Sequence, residues 1–353
     1  MMPTILFDIG HPAQVHQFRH IYRELEKKGW SCIYVAKDKD VTIDLLENYG
    51  LKYHLLSKTK SGIVNKILQV PENYFNFYRV TKKIKPDFIL NRFSIHSSHV
   101  AKLLGITSIG FSDTEHASGF HKITLPFIDI KFSGKSYYNN LGKNHLKLDS
   151  NIELFYLHPS VFKSEFNAFE RLGIKDNTPY SLVRFVSWQA HHDTGVKIMP
   201  VHEKIQLVKH LSERFKVFIS SEGPLPETLE KYRVKIRPDE IHTILKYASL
   251  YIGEGGTMAS EAACLDTPVI YTNPLPLMGY LKEQKQNGLL HHLTDLKSII
   301  ELVASTSYLN NRNFQEYIES KINPTAFMVW FIENYPTSAR IMKENPDYQY
   351  NFK

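Results

Sequence analysis

The residues whose types and spacing best support chemistry lie in the run Leu250-Tyr-Ile-Gly-Glu-Gly-Gly-Thr-Met-Ala-Ser-Glu261. Leu250 to Ile252 read as a buried strand, and Gly253, Gly255 and Gly256 as a tight turn that lets backbone approach a ligand closely. Thr257 is expected as the N-cap of the helix that follows. A strand passing through glycines into a helix start aims unpaired N–H groups and the positive end of a dipole at one spot, which suits a phosphate. Glu261 falls four residues after Thr257, on the same helical face and one turn deeper, where a carboxylate can accept two hydrogen bonds from a ribose diol. Metal chemistry has weaker support. His16 and His20 are spaced i,i+4, His191 and His192 are adjacent, and Asp38-Lys39-Asp40 forms an acidic turn, but none makes a complete ligand set. No required metal is expected.

The elements that position these residues alternate in a βα rhythm. Strands are predicted at Thr4 to Ile9, Ser31 to Ala36, Tyr53 to Leu56, Asp87 to Leu90 and Thr107 to Gly110, with residues 128–132 and 152–155 as the last of the first half. Helices are predicted over Pro12 to Lys28, Val41 to Tyr49 and Ser94 to Leu104. Gly62 to Lys85 reads as a helical hairpin or a helix broken at Pro71. After turn signals around Asp176-Asn-Thr-Pro179 the rhythm resumes, with strands at Tyr180 to Val186, Lys216 to Ser220, Val234 to Ile236 and Pro268 to Tyr271. Helices are expected over His202 to Phe215 and Glu240 to Tyr247, and an aromatic-faced tail helix from Pro324 to about Lys343. Short apolar strands alternating with helices indicate doubly wound parallel sheets. Asp113-Thr-Glu-His116 falls just past a strand's C-terminal end, the edge where such sheets bind ligands.

The run Gly253-Glu-Gly-Gly-Thr-Met-Ala-Ser-Glu261 resembles the donor-nucleotide motif of GT-B glycosyltransferases, a group that includes the peptidoglycan GlcNAc transferase and the non-hydrolysing UDP-GlcNAc 2-epimerases. The whole chain resembles the DUF354 family of uncharacterised prokaryotic proteins, through Asp8-Ile-Gly-His-Pro-Ala-Gln-Val-His16, Asp113-Thr-Glu-His116 and Arg184-Phe-Val-Ser-Trp188. The resemblance implies a GT-B-like α/β fold of two Rossmann-like domains facing a cleft. Residues 1–170 would form the acceptor domain and 171–320 the nucleotide-sugar domain, with 321–353 packing back on the first. It implies that Gly255, Gly256 and Thr257 hold the phosphates and Glu261 the ribose, and that Arg184 and Ser187 contact the diphosphate in place of a metal. Glu283 and Gln284 would contact sugar hydroxyls. On the acceptor side, Gly10 and His11 resemble the glycine-His loop of the peptidoglycan transferase, and Glu115-His116 the acidic loop of the epimerases. The substrate-side candidates are therefore Gly10, His11, His16, Asp113, Glu115 and His116. Glu115 or Asp113 is expected to be the base, and His11 an orienting or charge-stabilising group. His20 is expected to be structural.

At 353 residues and 41.0 kDa the chain suits two domains, and 42% hydrophobic with 22% charged residues is ordinary for a globular protein. No apolar run approaches the roughly 20 residues that span a bilayer, and the N-terminus lacks a signal-peptide pattern, so a cytoplasmic protein is expected. Cys32 and Cys264, each alone in a core element, fit a reducing compartment. The net charge of +7 lies wholly in the first half: residues 1–165 hold 22 Lys and Arg against 15 Asp and Glu, whereas residues 166–353 hold 21 of each. A basic acceptor half suits an anionic, sugar or lipid-linked acceptor, or peripheral contact with an acidic membrane face. The aromatic and basic stretch Tyr74 to Lys85 reads either as such a contact or as a helix packed on the sheet. No nucleic-acid motif is present.

Three functional readings follow. The first is a metal-independent transferase that moves a sugar from a nucleotide diphosphate, by default UDP, to an acceptor in surface polysaccharide or glycolipid assembly. The second is a sugar-nucleotide 2-epimerase, against which stands the absence of the epimerases' Gly-Thr-Arg-Pro-Glu opening. The third is a non-catalytic binder.

Overall fold

The computed structural model describes residues 2–58, 63–116, 118–185, 199–221 and 223–353, and divides them into two compact units. The first, Met1–Val161 with Ser320–Lys353, is built on a seven-stranded sheet. Its strands are β1 (Thr4–Ile9), β2 (Ser31–Asp38), β3 (Tyr53–Lys58), β4 (Phe88–Asn91), β5 (Thr107–Phe111), β6 (Ile130–Gly134) and β7 (His145–Leu148), ordered β3-β2-β1-β4-β5-β6-β7. Every pairing is parallel. Such a sheet is covered on both faces, which is why Ile5, Leu6, Phe7 and Ile9 are all fully buried rather than alternating. The order reverses direction between β1 and β4, so the C-terminal ends of those strands flank a topological switch point.

The second unit, Phe162–Glu319, holds β8 (Tyr180–Arg184), β9 (Lys216–Ile219), β10 (Leu250–Gly253), β11 (Val269–Tyr271) and β12 (Leu290–His292). Their order is β12-β11-β10-β8-β9, again all parallel, with the switch point between β8 and β10. Val183, Leu207, Val208, Leu250, Ile252 and Ile270 lie in the core between sheet and helices.

The structure departs from the expected elements in five places, one of them the tail, where the expected helix from Pro324 to Lys343 is two, Pro324–Glu333 and Thr337–Glu344. Residues 152–155 belong to a turn and a short helix, Leu154–Leu157, and β7 lies earlier; a four-residue apolar run fits a buried strand or a buried helix equally. Pro71 stands inside one continuous helix, Ile63–Ile84. Val234 to Ile236 is not a strand, because only an isolated bridge, Ile219 to Arg233, forms there. The three-residue β12 was not anticipated. In the helix Ile63–Ile84 the aromatic cluster divides: Phe77 is fully buried, Tyr74 and Tyr78 pack partly into the same core, and Phe75 is exposed beside the Arg79 guanidinium.

The C-terminal segment is part of the first unit. Helix Pro324–Glu333 sets Phe331 edge-on against Phe132 of β6 at 5.0 Å, and Thr325 Oγ1 donates to the Phe155 carbonyl at 2.7 Å. Beyond β7, Asp149 accepts from Lys321 Nζ and the Tyr350 hydroxyl, both at 2.8 Å. Among the described residues no helix is long and apolar enough to cross a membrane.

Candidate functional site

The glycine turn sits at the switch point of the second sheet. Gly253 pairs with Arg184 across β10 and β8, and the Glu254 N–H donates to the Arg184 carbonyl at 3.1 Å. A side chain at Gly253 would collide with the Tyr251 hydroxyl and lie 2.6 Å from the Arg184 carbonyl, so only glycine fits. Gly256 is held closely too, since a Cβ there would meet Met278 at 3.1 Å and the Tyr280 hydroxyl at 3.2 Å. Above Gly255 the space is open. The helix Gly256–Cys264 starts two residues earlier than expected: Gly255 is its N-cap, with no side-chain cap, and Thr257 lies in the first turn, exposed. Thr257 therefore keeps its hydroxyl at the turn's surface instead of spending it on a cap.

Arg184 is half-buried at the end of β8 and donates through Nη1 to Ser220 Oγ at 2.9 Å. Beneath the turn the Tyr251 hydroxyl is buried with no hydrogen-bond partner among the described residues. Glu261 is 5% exposed, and its Oε1 lies 3.0 Å from His242 Nε2, so one carboxylate oxygen is already engaged by a buried imidazole. Glu283 is half-buried. Gln284 departs from expectation. It is fully buried and its amide donates to Ser260 Oγ at 2.8 Å, bracing two helices and facing no open space where a sugar could lie. Ser187, with Trp188, His191 and His192, lies outside the described residues.

In the first unit the loop after β1 is fixed locally. His11 is the N-cap of helix Pro12–Lys27, its Nδ1 accepting from the Ala13 N–H at 3.3 Å, while Gln14 accepts from the Gly10 N–H at 2.6 Å. A capping imidazole had not been foreseen; it ties Nδ1 to the backbone of an otherwise exposed side chain. His16 is a core histidine, contrary to the expected substrate contact. It is buried against the Tyr156 ring at 5.4 Å, with Nδ1 3.2 Å from the Tyr49 hydroxyl. His20 loses its proton readily, its pKa carried down to about 3 by burial and then by Arg19, Arg23 and Lys27. At the end of β5, Asp113 is ion-paired with Arg92, which also donates to Gln17 Oε1 at 3.2 Å. Glu115 is buried, its carbonyl accepting from Asn139 at 2.8 Å, and His116 is exposed.

Sequence reasoning missed four groups. Lys204, 1% exposed on helix Val201–Leu211, meets Glu254 of the glycine turn at 2.7 Å and lies 4.6 Å from the Phe185 ring centroid. Arg92, Asp8 and His96 gather at the switch point of the first sheet, and β1–β4 pairing alone brings them together across more than 80 residues. Phe93, between them, has φ +50°, a left-handed conformation that costs a bulky residue on the order of 1–3 kcal/mol. Its ring rests on Gly110, where a Cβ would come within 2.7 Å. Among the described residues no group of three or more His, Cys, Asp or Glu could hold a metal ion, and Asp38 and Asp40 form no such group.

A model of the family described as a protein of unknown function, DUF354, matches residues 4–336. An uncharacterized protein of Methanocaldococcus jannaschii is 24% identical over 310 residues, 85% of this chain and 90% of that protein. Among solved structures, UDP-GlcNAc 2-epimerase from Methanocaldococcus jannaschii aligns with a TM-score of 0.70 at 15% identity, over 94% of this chain and 99% of that one. The glycosyltransferase SsfS6 from Streptomyces sp. SF2575 aligns with a TM-score of 0.61 at 13% identity, over 94% of this chain and all of that one, 100%. At these identities the likeness is one of fold, the GT-B-like pair of parallel-sheet α/β units.

Proposed function

The chain belongs to the DUF354 family, and from that premise we propose that it is a metal-independent glycosyltransferase that uses a nucleotide-diphosphate sugar as donor. The observation that carries this reading is the glycine turn at the switch point of the second sheet, with open space above Gly255, the first-turn N–H groups of a nine-residue helix, and Arg184 on the adjoining strand. The turn and Arg184 hold the diphosphate, and fixed N–H dipoles with a guanidinium stabilise the charge that grows on the leaving phosphate. Thr257 adds an exposed hydroxyl. Glu261, held by His242, is the proposed ribose contact.

The acceptor's hydroxyl belongs with the C-terminal edge of the first sheet, where His11, Glu115 and His116 stand and where Arg92 has drawn Asp113 into an ion pair. The basic balance of residues 1–165 supports an anionic sugar or lipid-linked acceptor, with surface polysaccharide or glycolipid assembly as the setting. UDP is the proposed nucleotide. Support for it comes from the solved neighbour named as a UDP-GlcNAc epimerase.

The reading is tested by incubating the protein with UDP-GlcNAc alone and with lipid or oligosaccharide acceptors, following UDP release and the sugar's configuration at C2. A transferase releases UDP in an acceptor-dependent way and leaves the bound sugar's C2 configuration intact. Accumulation of the C2 epimer without acceptor would replace the transferase by the epimerase reading.

A further inference from the structure

The connections from β3 to β4, from β4 to β5 and from β5 to β6 all step the same way across the first sheet, so right-handed crossover puts their helices on one face. These helices are Ile63–Ile84, Ile95–Leu104 and Ser118–Thr124. A single histidine clasps all three. His99, on the middle helix, has Nδ1 2.8 Å from the Tyr74 hydroxyl and Nε2 3.0 Å from the Ile123 carbonyl. A carbonyl only accepts, so Nε2 donates to it.

Three large apolar side chains stand exposed around this clasp. Phe75, beside Tyr74, is 59% exposed, Ile123 is 50% exposed, and Leu103, one turn beyond His99 on the same helical face, is 72% exposed. Scattered singly, such residues are ordinary on a surface; here the clasp brings the three together. On the first helix Asn73, Phe77 and Thr81, spaced by four, are buried, whereas Phe75, Arg79, Lys82 and Lys83 form an exposed stripe. Lys102 precedes Leu103 and Lys122 precedes Ile123, and both lysines are exposed. Among the described residues of the three helices Glu72 is the one acidic residue. The Arg79 guanidinium lies 5.5 Å from the Phe75 ring centroid, and Lys82 Nζ lies 5.4 Å from the Tyr78 ring centroid. The stems of these cations thus run along aromatic rings with their charged heads at the surface.

We propose that this helical face docks the protein on an anionic membrane surface. Phe75, Leu103 and Ile123 enter the boundary between headgroups and acyl chains, and Arg79, Lys82, Lys83, Lys102 and Lys122 meet the lipid phosphates. Charge complementarity selects the partner: exposed cations interleaved with apolar side chains match an acidic headgroup layer, whereas lysine is depleted where two proteins meet. Apolar insertion and electrostatic attraction add, and the patch supplies both. Among the described residues no helix crosses a membrane, so the contact is one of lying on the surface. The stretch Tyr74 to Lys85 does both things that its sequence allows, since one side of the helix packs on the sheet and the other faces outward. The inference goes beyond the transferase reading and stands without it, because it needs no nucleotide.

The test is co-sedimentation of the full chain with vesicles of phosphatidylcholine alone and with vesicles of equal parts phosphatidylcholine and phosphatidylglycerol. The wild type is expected to sediment with the anionic vesicles and to stay in solution beside the neutral ones. It is expected to be released in molar salt, where the Debye length falls to about 3 Å. The combined change Lys82→Glu, Lys83→Glu, Lys102→Glu is expected to weaken binding to the anionic vesicles at least about tenfold. The combined change Phe75→Ser, Leu103→Ser, Ile123→Ser is expected to weaken it by at least about as much, with the melting temperature held because all three side chains are exposed. A wild type that ignores anionic vesicles, or binds neutral ones equally, overturns the proposal, and so does undiminished binding by either folded variant. A wild type that is dimeric without lipid and becomes monomeric with the three serine changes also overturns it, because a second copy of the chain then covers the face.

Discussion

Lys204 and Glu254 are both withdrawn from water, and the pair fixes the glycine turn from below. Breaking a buried pair on one side leaves an uncompensated charge, so Lys204→Met is expected to cost about 3–5 kcal/mol by chemical denaturation. The double change Lys204→Met, Glu254→Gln is expected to recover a large part of that, and equal losses in the single and double variants would contradict the pairing. Two histidines give the stability a pH dependence. Burial, aided by neighbouring basic groups, holds His20 at about 3 and His145 at about 4, whereas both protonate near 6.5 when unfolded. Between those limits the unfolded chain binds more protons, so stability is full above pH 6.5 and falls as the pH drops toward 4 and then 3. A urea midpoint unchanged between pH 7.5 and 4.5 would contradict this. The His145 contacts suit a neutral ring as well: its Nδ1 accepts from the Leu141 N–H at 3.4 Å and Nε2 lies 2.7 Å from Ser133 Oγ.

At the scale of the element, the two glycines at the end of β10 have different jobs. Gly253→Ala would press a methyl group on the Tyr251 hydroxyl and the Arg184 carbonyl, and is expected to destabilise by about 1–3 kcal/mol. Gly255 has φ −84° and open space around its Cβ position, so Gly255→Ala is expected to leave the melting temperature unchanged and to weaken nucleotide binding. A Gly255→Ala protein that binds as the wild type does would show that nothing approaches the turn. The turn, its helix and the βα rhythm were legible in the sequence because glycine placement and hydrophobic period are local signals. Leu154–Leu157 and β12 were not, since four apolar residues and a three-residue strand ending in His291 and His292 carry too little periodicity. Asp8, Arg92 and His96 were not legible as a group either, because the β1–β4 pairing that gathers them is a long-range contact.

At the scale of the molecule, each sheet reverses its strand order once, and each reversal collects the chemistry that its unit has. In the second unit the reversal gathers Arg184 and the glycine turn, both named from sequence as site residues; in the first it gathers Asp8, quoted from sequence only within a family motif, and His96. The sequence-based candidates His16 and Gln284 lie instead in the packing, a histidine between two tyrosines and a glutamine whose amide nitrogen bonds Ser260 Oγ between two helices. Polar residue type alone does not distinguish a ligand contact from a satisfied core group. The central claim is that this scaffold binds a nucleotide-diphosphate sugar without a metal. Thermal unfolding against UDP, GDP, CDP, dTDP and their common sugar conjugates, with and without EDTA, tests it most directly. A ligand at 100 times its Kd adds about 2.7 kcal/mol to the folded state, enough for a clear shift. The account predicts a selective, EDTA-insensitive stabilisation by UDP and UDP-sugars that Glu261→Ala weakens. No shift with any nucleotide would contradict it, and the glycine turn would then be a turn alone.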